Sequence, residues 1–321
     1  MYKSKTILYL SSLGFYSNEI FYILDKYKNP IEVIKSGLMD ENISIERSIN
    51  KKYLKNRSDF NLYQEFMDKN SINYITFYDD DYPKSLKFIE SPPAILYIKG
   101  KLDLSRLGIS VVVARKCTEY GKWSCKHLVE GLSSYGLSII SGLALGIDRI
   151  SHETALDNNM YTIGVLGCGV DRIYPYKNKS LFEKIEEKGA IISEFPLGAK
   201  PMAHHFPIRN RIISALGLGL LVIEAKVKSG TLITAGYAAD QGKEVFAVPG
   251  NINSQFSKGT NCLIKDGAKL VMSVEDIIEE LPEVKLLKEE TLKIERDISS
   301  LNQEELKMYE LISLNPLSID A

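Results

Sequence analysis

The spacing of hydrophobic positions divides the chain into regions of different character. In residues 6–70, apolar side chains recur every three to four positions, as at Ile20, Ile23 and Leu24, which predicts helices. Residues 74–100 instead contain two short strand-like segments, residues 74–78 and 92–98, separated by an Asp-rich turn. We therefore predict a small N-terminal helical domain over residues 1–73.

From residue 108, short continuous apolar runs alternate with amphipathic stretches. Such runs are typical of strands buried on both faces of a parallel sheet, and the stretches between them suit crossover helices. The runs lie at residues 108–114, 137–140, 161–166, 190–192, 220–223 and 244–248. With right-handed crossovers, the pattern predicts an α/β fold with a doubly wound, mostly parallel, extended Rossmann-like sheet over residues 74–284. Residues 285–321 are predicted to be an acidic linker and a C-terminal segment.

Composition narrows the class of protein. The 321 residues are 45% hydrophobic and 25% charged, and no apolar run is long enough to span a membrane, so we expect a cytoplasmic globular protein without membrane contact. The four cysteines form no C-x-x-C pair, and the four histidines complete no zinc pattern. We therefore predict no metal site and no disulfide framework.

Polar or Gly-rich turns follow the predicted strands directly. Because the carboxyl ends of parallel strands meet at one crevice, these turns are expected to gather there, where glycines, helix N-termini and cations suit phosphate. The candidates are Arg115, Ser141, Gly142, Gly146, Lys226, Ser229, Gly230 and Thr231. No turn is a Walker A or a G-x-G-x-x-G loop, so no nucleotide cofactor is predicted, and each turn alone equally fits a connection that binds nothing.

A second group of candidates adds charge and an aromatic ring. Arg209, Asn210 and Arg211 follow Pro207 at a predicted helix start, where cations are unfavourable unless an anion docks between them; an ion pair to Glu194 or Glu224 is the alternative. Cations and an aromatic platform along a groove suit single-stranded nucleic acid, although the aromatic residue also fits a helix core. These further candidates are Lys177, Lys179 and Phe182.

No catalytic set is predicted. His152 lies four residues after Asp148, which suits a local contact within one helix. Glu224 is a candidate base, but no nucleophile or group of metal ligands is spaced around it.

Ordered motifs over about residues 74–272 resemble the DprA/Smf family of DNA-processing proteins. They include Ser141-Gly-Leu-Ala-Leu-Gly146-Ile-Asp148-x-x-x-His152, Gly167-x-Gly169-x-Asp171-x-x-Tyr174-Pro175-x-x-Asn178, Phe206-Pro-x-Arg209-Asn210-Arg211 and Glu224-Ala-x-x-x-Ser229-Gly230-Thr231. The resemblance implies a non-catalytic homodimer that binds single-stranded DNA and loads the recombinase RecA during natural transformation. It also implies that the N-terminal helices form a sterile-alpha-motif-like domain and that residues 300–312 resemble the first helix of an incomplete winged-helix domain.

The chain departs from the family pattern at Ala114, where the family's G-x-R turn has a glycine; the arginine, Arg115, is kept. Two other hypotheses stay open. The Gly-Thr turn with an upstream glutamate also resembles that of the nucleoside-monophosphate phosphoribohydrolases, which implies an enzyme. A partner-binding module with a vestigial pocket would bind RecA but would neither bind single-stranded DNA nor release a base.

Charge distribution fits a nucleic-acid partner better than net charge does. The whole chain has 40 basic and 41 acidic residues, a formal net charge of −1. Residues 272–310 carry 12 acidic against 5 basic residues, and Asp320 adds one more negative charge. Residues 1–271 therefore have a net charge of +7, which favours an anionic partner.

Overall fold

A computed structural model describes residues 2–36, 60–112 and 117–286 of the chain. Contacts divide the chain into two units, residues 1–276 and residues 277–321. In the second unit, residues 282–286 are helical. The predicted C-terminal helix over residues 300–312 and the candidate Arg115 lie outside the described residues. The predicted domain boundaries after residues 73 and 284 stay predictions.

The first unit is built on a mostly parallel sheet, as predicted. Within the described residues its strand order is β1-β2-β6-β5-β4-β3-β7-β8-β9. The strands are β1 Asn73–Thr76, β2 Ile95–Gly100, β3 Gly108–Val112, β4 Ser138–Ser141, β5 Thr162–Val165, β6 Ala190–Ser193, β7 Gly219–Val222, β8 Glu244–Ala247 and β9 Lys269–Leu270. Strands β3 to β9 pair in parallel, whereas β1 pairs with β2 and β2 with β6 in antiparallel register.

Helices surround this sheet in an α/β, Rossmann-like arrangement. They are α1 Tyr2–Ser12, α2 Ser17–Lys26, α3 Pro30–Ser36, α4 Phe60–Lys69, α5 Lys84–Lys87, α6 Glu119–Ser133, α7 Ile147–Asp157, α8 Lys179–Lys188, α9 His205–Leu216, α10 Gly230–Asp240 and α11 Lys258–Lys265. A further helix, α12 Val274–Ile278, includes the boundary between the two units. A short 3₁₀ helix, Tyr176–Asn178, precedes α8. No helix within the described ranges combines the length and the apolar character that a membrane span requires.

Separate apolar clusters pack on the sheet. Helices α9 and α10 bury side chains such as Ile212 and Ala235 against β5 and β7. Helices α7 and α8 form another cluster, which includes Leu156 and Ile185. The N-terminal helices pack Ile7, Phe15 and their apolar neighbours against β2.

Strand β3 is the topological switch point of the sheet. Its neighbours are β4 on one side and β7 on the other, and the chain proceeds outward from β3 in both directions. In open parallel sheets, ligands bind outside the carboxyl ends of the strands at such a point. The two strands beside β3 lead into this crevice. Strand β4 ends directly before the loop that begins at Gly142, and β7 ends before the segment that connects it to α10.

Candidate functional site

A pocket of about 510 Å³ lies beyond the carboxyl ends of β3, β4 and β7. One wall is the loop from Gly142 to Leu145, and the opposite wall is the start of α10. Of the predicted candidates, the structure brings together Gly142, Arg209, Asn210, Lys226, Ser229, Gly230 and Thr231 in this lining.

The loop of residues 142–146, called the glycine loop below, is held in place by buried polar side chains. The Asp148 carboxylate accepts a hydrogen bond from the Ala144 N–H at 3.3 Å. Burial raises the pKa of Asp148, although the charge of Arg209 acts in the opposite direction. On the other side of the loop, the Asn178 Nδ2 donates to the Leu143 carbonyl at 2.8 Å. Leu143 has φ +55° and Gly146 φ +89°, so two left-handed residues set the shape of this loop.

Arg209 lies under the glycine loop rather than free in the pocket. It is only 4% exposed, and its Nη1 donates to the Gly142 carbonyl at 2.9 Å and also to the Val165 carbonyl. Its Nε donates to the Asn210 Oδ1 at 3.1 Å, and the Asn210 Nδ2 donates to the Thr234 Oγ1 at 2.8 Å. Arg209 therefore joins β4, β5 and α9 while it lines the pocket.

The start of α10 presents unpartnered hydroxyl groups. The Ser229 side chain occupies the N-cap position but makes no capping hydrogen bond. The Ser229 Oγ and the Thr231 Oγ1 are buried, and neither has a hydrogen-bond partner within the described residues. Because the first N–H groups of a helix also lack intrahelical partners, this wall consists of donors that suit an anion. Lys226 adds a half-buried cation, 4.6 Å from the centre of the Phe256 ring.

An aromatic pair forms the apolar part of the lining. The rings of Tyr174 and Phe206 lie 5.7 Å apart at an angle of 35°. The Tyr174 side chain is exposed, which leaves its ring accessible to a ligand. Neither residue was among the candidates predicted from the sequence, although both stand in the quoted motifs, beside Pro175 and Pro207.

The prediction that Phe182 forms an aromatic platform for a base is wrong. Phe182 is 4% exposed and packs with Leu181, Ile185 and Leu156, because it lies on the inner face of α8. The alternative interpretation, a helix-core residue, is confirmed.

The lysines beside Phe182 also lie outside the pocket lining. Lys177 and Lys179 are exposed, and the Lys179 Nζ lies 3.7 Å from the Glu183 carboxylate. Ser141 is buried at the end of β4, where its Oγ donates to the Val111 carbonyl at 2.6 Å. Gly146 precedes α7 and shapes the loop without lining the pocket.

The expectation that Arg209 and Arg211 hold one anion between them is also wrong. Helix α9 begins at His205, so both arginines lie inside the helix, where positions i and i+2 point to different sides. Arg211 forms a buried bidentate ion pair with Glu194, with an Nη2–Oε2 distance of 2.7 Å. The alternative ion pair to Glu194 is therefore confirmed, and Arg211 is absent from the pocket lining.

The two other titratable residues considered in the sequence, His152 and Glu224, form hydrogen bonds within the fold. The His152 Nδ1 lies 2.7 Å from the Thr162 Oγ1, and burial, aided by the charge of Arg209, lowers the pKa of His152 to about 3. The Glu224 carboxylate accepts hydrogen bonds from the Thr118 N–H at 2.9 Å and the Thr118 hydroxyl at 2.5 Å. Glu224 lines a different pocket, together with Thr118 and Gly250.

Comparisons with known proteins agree on one family. The family model described as DNA recombination-mediator protein A matches residues 73–282. The chain is 45% identical over 214 residues to the DNA processing protein DprA of Bacillus subtilis, a match that spans 66% of this chain and 72% of that protein. It is also similar to the crystal structure of DNA processing protein A from Streptococcus pneumoniae, with a TM-score of 0.73 and 34% identity over 87% of this chain and 98% of that one.

A second solved structure that resembles this chain is that of a protein whose DNA binding has been described. It describes the single-stranded DNA binding mode of DNA processing protein A from Helicobacter pylori. The two chains superpose with a TM-score of 0.59 and 32% identity, over 66% of this chain and 96% of that one.

Proposed function

The chain belongs to the family of DNA recombination-mediator protein A, and we propose that it binds single-stranded DNA in the pocket at the switch point of the sheet. The observation that carries this proposal is the pair of buried, unpartnered hydroxyls, Ser229 Oγ and Thr231 Oγ1, at the start of α10. A buried donor without a partner is unfavourable unless a ligand completes its hydrogen bond.

In this proposal, the α10 wall holds one phosphate of the strand. The first N–H groups of the helix donate to the phosphate oxygens, and the two buried hydroxyls rotate toward the phosphate to complete their hydrogen bonds. The half-buried Lys226 supplies charge. The Tyr174 and Phe206 rings offer an accessible surface on which an adjacent base stacks. Since hydroxyls, backbone groups and ring faces do not read base edges, binding is expected to be independent of sequence.

Arg209 has a positioning role in this site. Its guanidinium donates to main-chain carbonyls at both β4 and β5, so its charge lies below the loop and its hydrogen bonds set the loop position. The contribution of Arg115 to phosphate binding stays a prediction.

The wider roles of the protein are also proposals. Single-stranded DNA is the ligand of the related Helicobacter pylori protein, which supports the same ligand here. The family model is that of a recombination mediator, which supports a mediator role for this chain. RecA as the partner that the chain loads onto single-stranded DNA, a homodimeric assembly and a role in natural transformation are proposals that rest on the family resemblance.

We propose a binding role rather than catalysis. A phosphoribohydrolase would need a carboxylate free to act on the nucleotide. The Glu224 carboxylate is bonded to Thr118 and lines another pocket, and the carboxylate of the first pocket, Asp148, is buried and accepts a hydrogen bond from the Ala144 N–H. Incubation with a panel of nucleoside monophosphates is expected to release no free base. Release of base at a rate above that of buffer would favour the enzyme instead.

A salt titration of the Lys226→Gln variant tests the proposed phosphate contact. We expect weaker binding to every single-stranded oligonucleotide and a slope of log affinity against log salt reduced by about 1, because one fewer phosphate contact releases fewer counterions. Fluorescence anisotropy with pyrimidine and purine strands, beside a matched duplex, measures both quantities. The control is Lys184→Gln, an exposed cation of α8 outside the pocket. An unchanged slope in Lys226→Gln would remove Lys226 from the interface.

The Thr231→Val variant separates binding from folding. Valine has nearly the same shape but lacks the unpartnered hydroxyl, so stability to urea should be unchanged or higher by about 1 kcal/mol. Affinity for single-stranded DNA should fall about tenfold, since a hydrogen bond to a charged phosphate is lost. Thr234→Val is the comparison: the Thr234 Oγ1 bonds Asn210 and Gly230, so this change should lower stability. Full affinity in Thr231→Val would contradict the proposed position of the phosphate.

A further inference from the structure

A second pocket, of about 470 Å³, lies between the start of α2, residues 88–91 and helices α9 and α10. It shares no lining residue with the first pocket. Its volume lies within the range that small organic ligands occupy in proteins.

Aromatic rings dominate the lining of this second pocket. Phe195 and His205 stack with their centres 4.1 Å apart at 21°, and Tyr16 meets both rings edge-on at 6.3 and 6.2 Å. His204 lies edge-on to His205 at 4.5 Å. The Phe88 ring is 88% exposed at the border of the pocket. Phe195 and His205 are buried, so the rings that a ligand can reach are those of Tyr16, Phe88 and His204.

The charges of this lining are mainly negative. Glu90 and Asp240 are exposed carboxylates of the lining. Its arginine, Arg211, is paired with Glu194, and its Nε also donates to the Ser91 carbonyl at 2.8 Å. Burial lowers the pKa of His205, which keeps that ring neutral at neutral pH. Glu90 and Asp240 thus give the pocket a net negative charge that repels phosphate.

We propose that this second pocket binds a small organic cation, namely an amidinium, guanidinium or primary ammonium group on an aromatic or apolar body. Ring faces attract a cation placed over them, and the carboxylates at the border neutralise its charge. The apolar body packs against Phe88, Ile89 and Ile208, which line the same pocket. The second pocket shares no lining residue with the first pocket, the proposed DNA pocket, so we expect changes in the second lining to leave DNA affinity unaltered.

Calorimetric titration of the full chain with benzamidine and with benzamide tests this proposal, because the two probes differ mainly in charge. We expect saturable binding of benzamidine and about fivefold weaker binding of benzamide. Asp240→Asn and Phe88→Ala change exposed side chains, and each should weaken benzamidine binding about threefold. Their affinity for single-stranded DNA should equal that of the unmodified chain, which distinguishes this site from the DNA pocket.

Asp157→Asn and Ile252→Ala are the matched controls, since both residues are exposed and neither lines the second pocket. They should bind benzamidine as the unmodified chain does. Equal affinity for benzamidine and benzamide, wild-type affinity in both Asp240→Asn and Phe88→Ala, or no benzamidine binding up to about 10 mM would each overturn the proposal.

Discussion

Replacement of Gly142 by alanine is expected to lower the free energy of unfolding by about 3 kcal/mol and to abolish measurable binding of single-stranded DNA. A Cβ at this position would lie 2.6 to 2.8 Å from three atoms of the Arg209 guanidinium. The guanidinium would have to move, and its hydrogen bonds to the Gly142 and Val165 carbonyls would break. The loop and the pocket would lose their shape together.

Gly236→Ala is the matched control for this change. Gly236 lies within α10, and an added Cβ there would meet no atom within 4 Å. Because alanine favours a helix interior, this variant should gain about 0.5–1 kcal/mol and bind DNA normally. Urea titration gives the stabilities, and anisotropy gives the affinities. Gly142→Ala with normal stability and affinity would show that Arg209 does not position the loop.

The second large effect is expected from Glu194→Gln, which removes the charge opposite Arg211. Both side chains of the pair are less than a tenth exposed, at 8% for Arg211 and 7% for Glu194. Removal of one partner from a buried ion pair leaves the other charge uncompensated and costs about 3–5 kcal/mol. The folded fraction of this variant should nevertheless bind single-stranded DNA with normal affinity, because neither residue lines the DNA pocket.

Glu183→Gln serves as the comparison for that pair. Glu183 faces Lys179 across a largely exposed contact, so its replacement should change stability by less than about 1 kcal/mol. If Glu194→Gln lost DNA affinity as severely as Gly142→Ala, Arg211 would belong to the DNA site, as the sequence first indicated.

The fold was largely predictable from the sequence, because strands buried on both faces consist mostly of apolar residues. The runs at residues 190–192 and 220–223 became β6 and β7 with shifts of one residue at their ends. Strand β9, Lys269–Leu270, was not predicted, since a strand of two residues is too short to show a period. The edge of the sheet that holds the pocket followed from the same reasoning.

The roles of single side chains were less predictable, since they depend on distances between segments far apart in sequence. The position of Pro207 predicts a helix that starts beside it, but proline is tolerated within the first turn, and α9 begins two residues earlier. That shift alone changes where Arg209 and Arg211 point. The partners of these arginines, the Gly142 carbonyl and the Glu194 carboxylate, lie in the loops that follow β4 and β6, and no local pattern specifies such pairings.

The position of the DNA pocket at the switch point has a consequence for folding. Its two walls come from opposite halves of the sheet, one following β4 and the other following β7, and β3 joins the halves. Because contacts between distant segments form late, the pocket should become competent only when both halves have docked on β3. Bound single-stranded DNA would then stabilise the sheet as a whole. Recovery of DNA binding during refolding would therefore report completion of the native topology rather than formation of either half of the sheet.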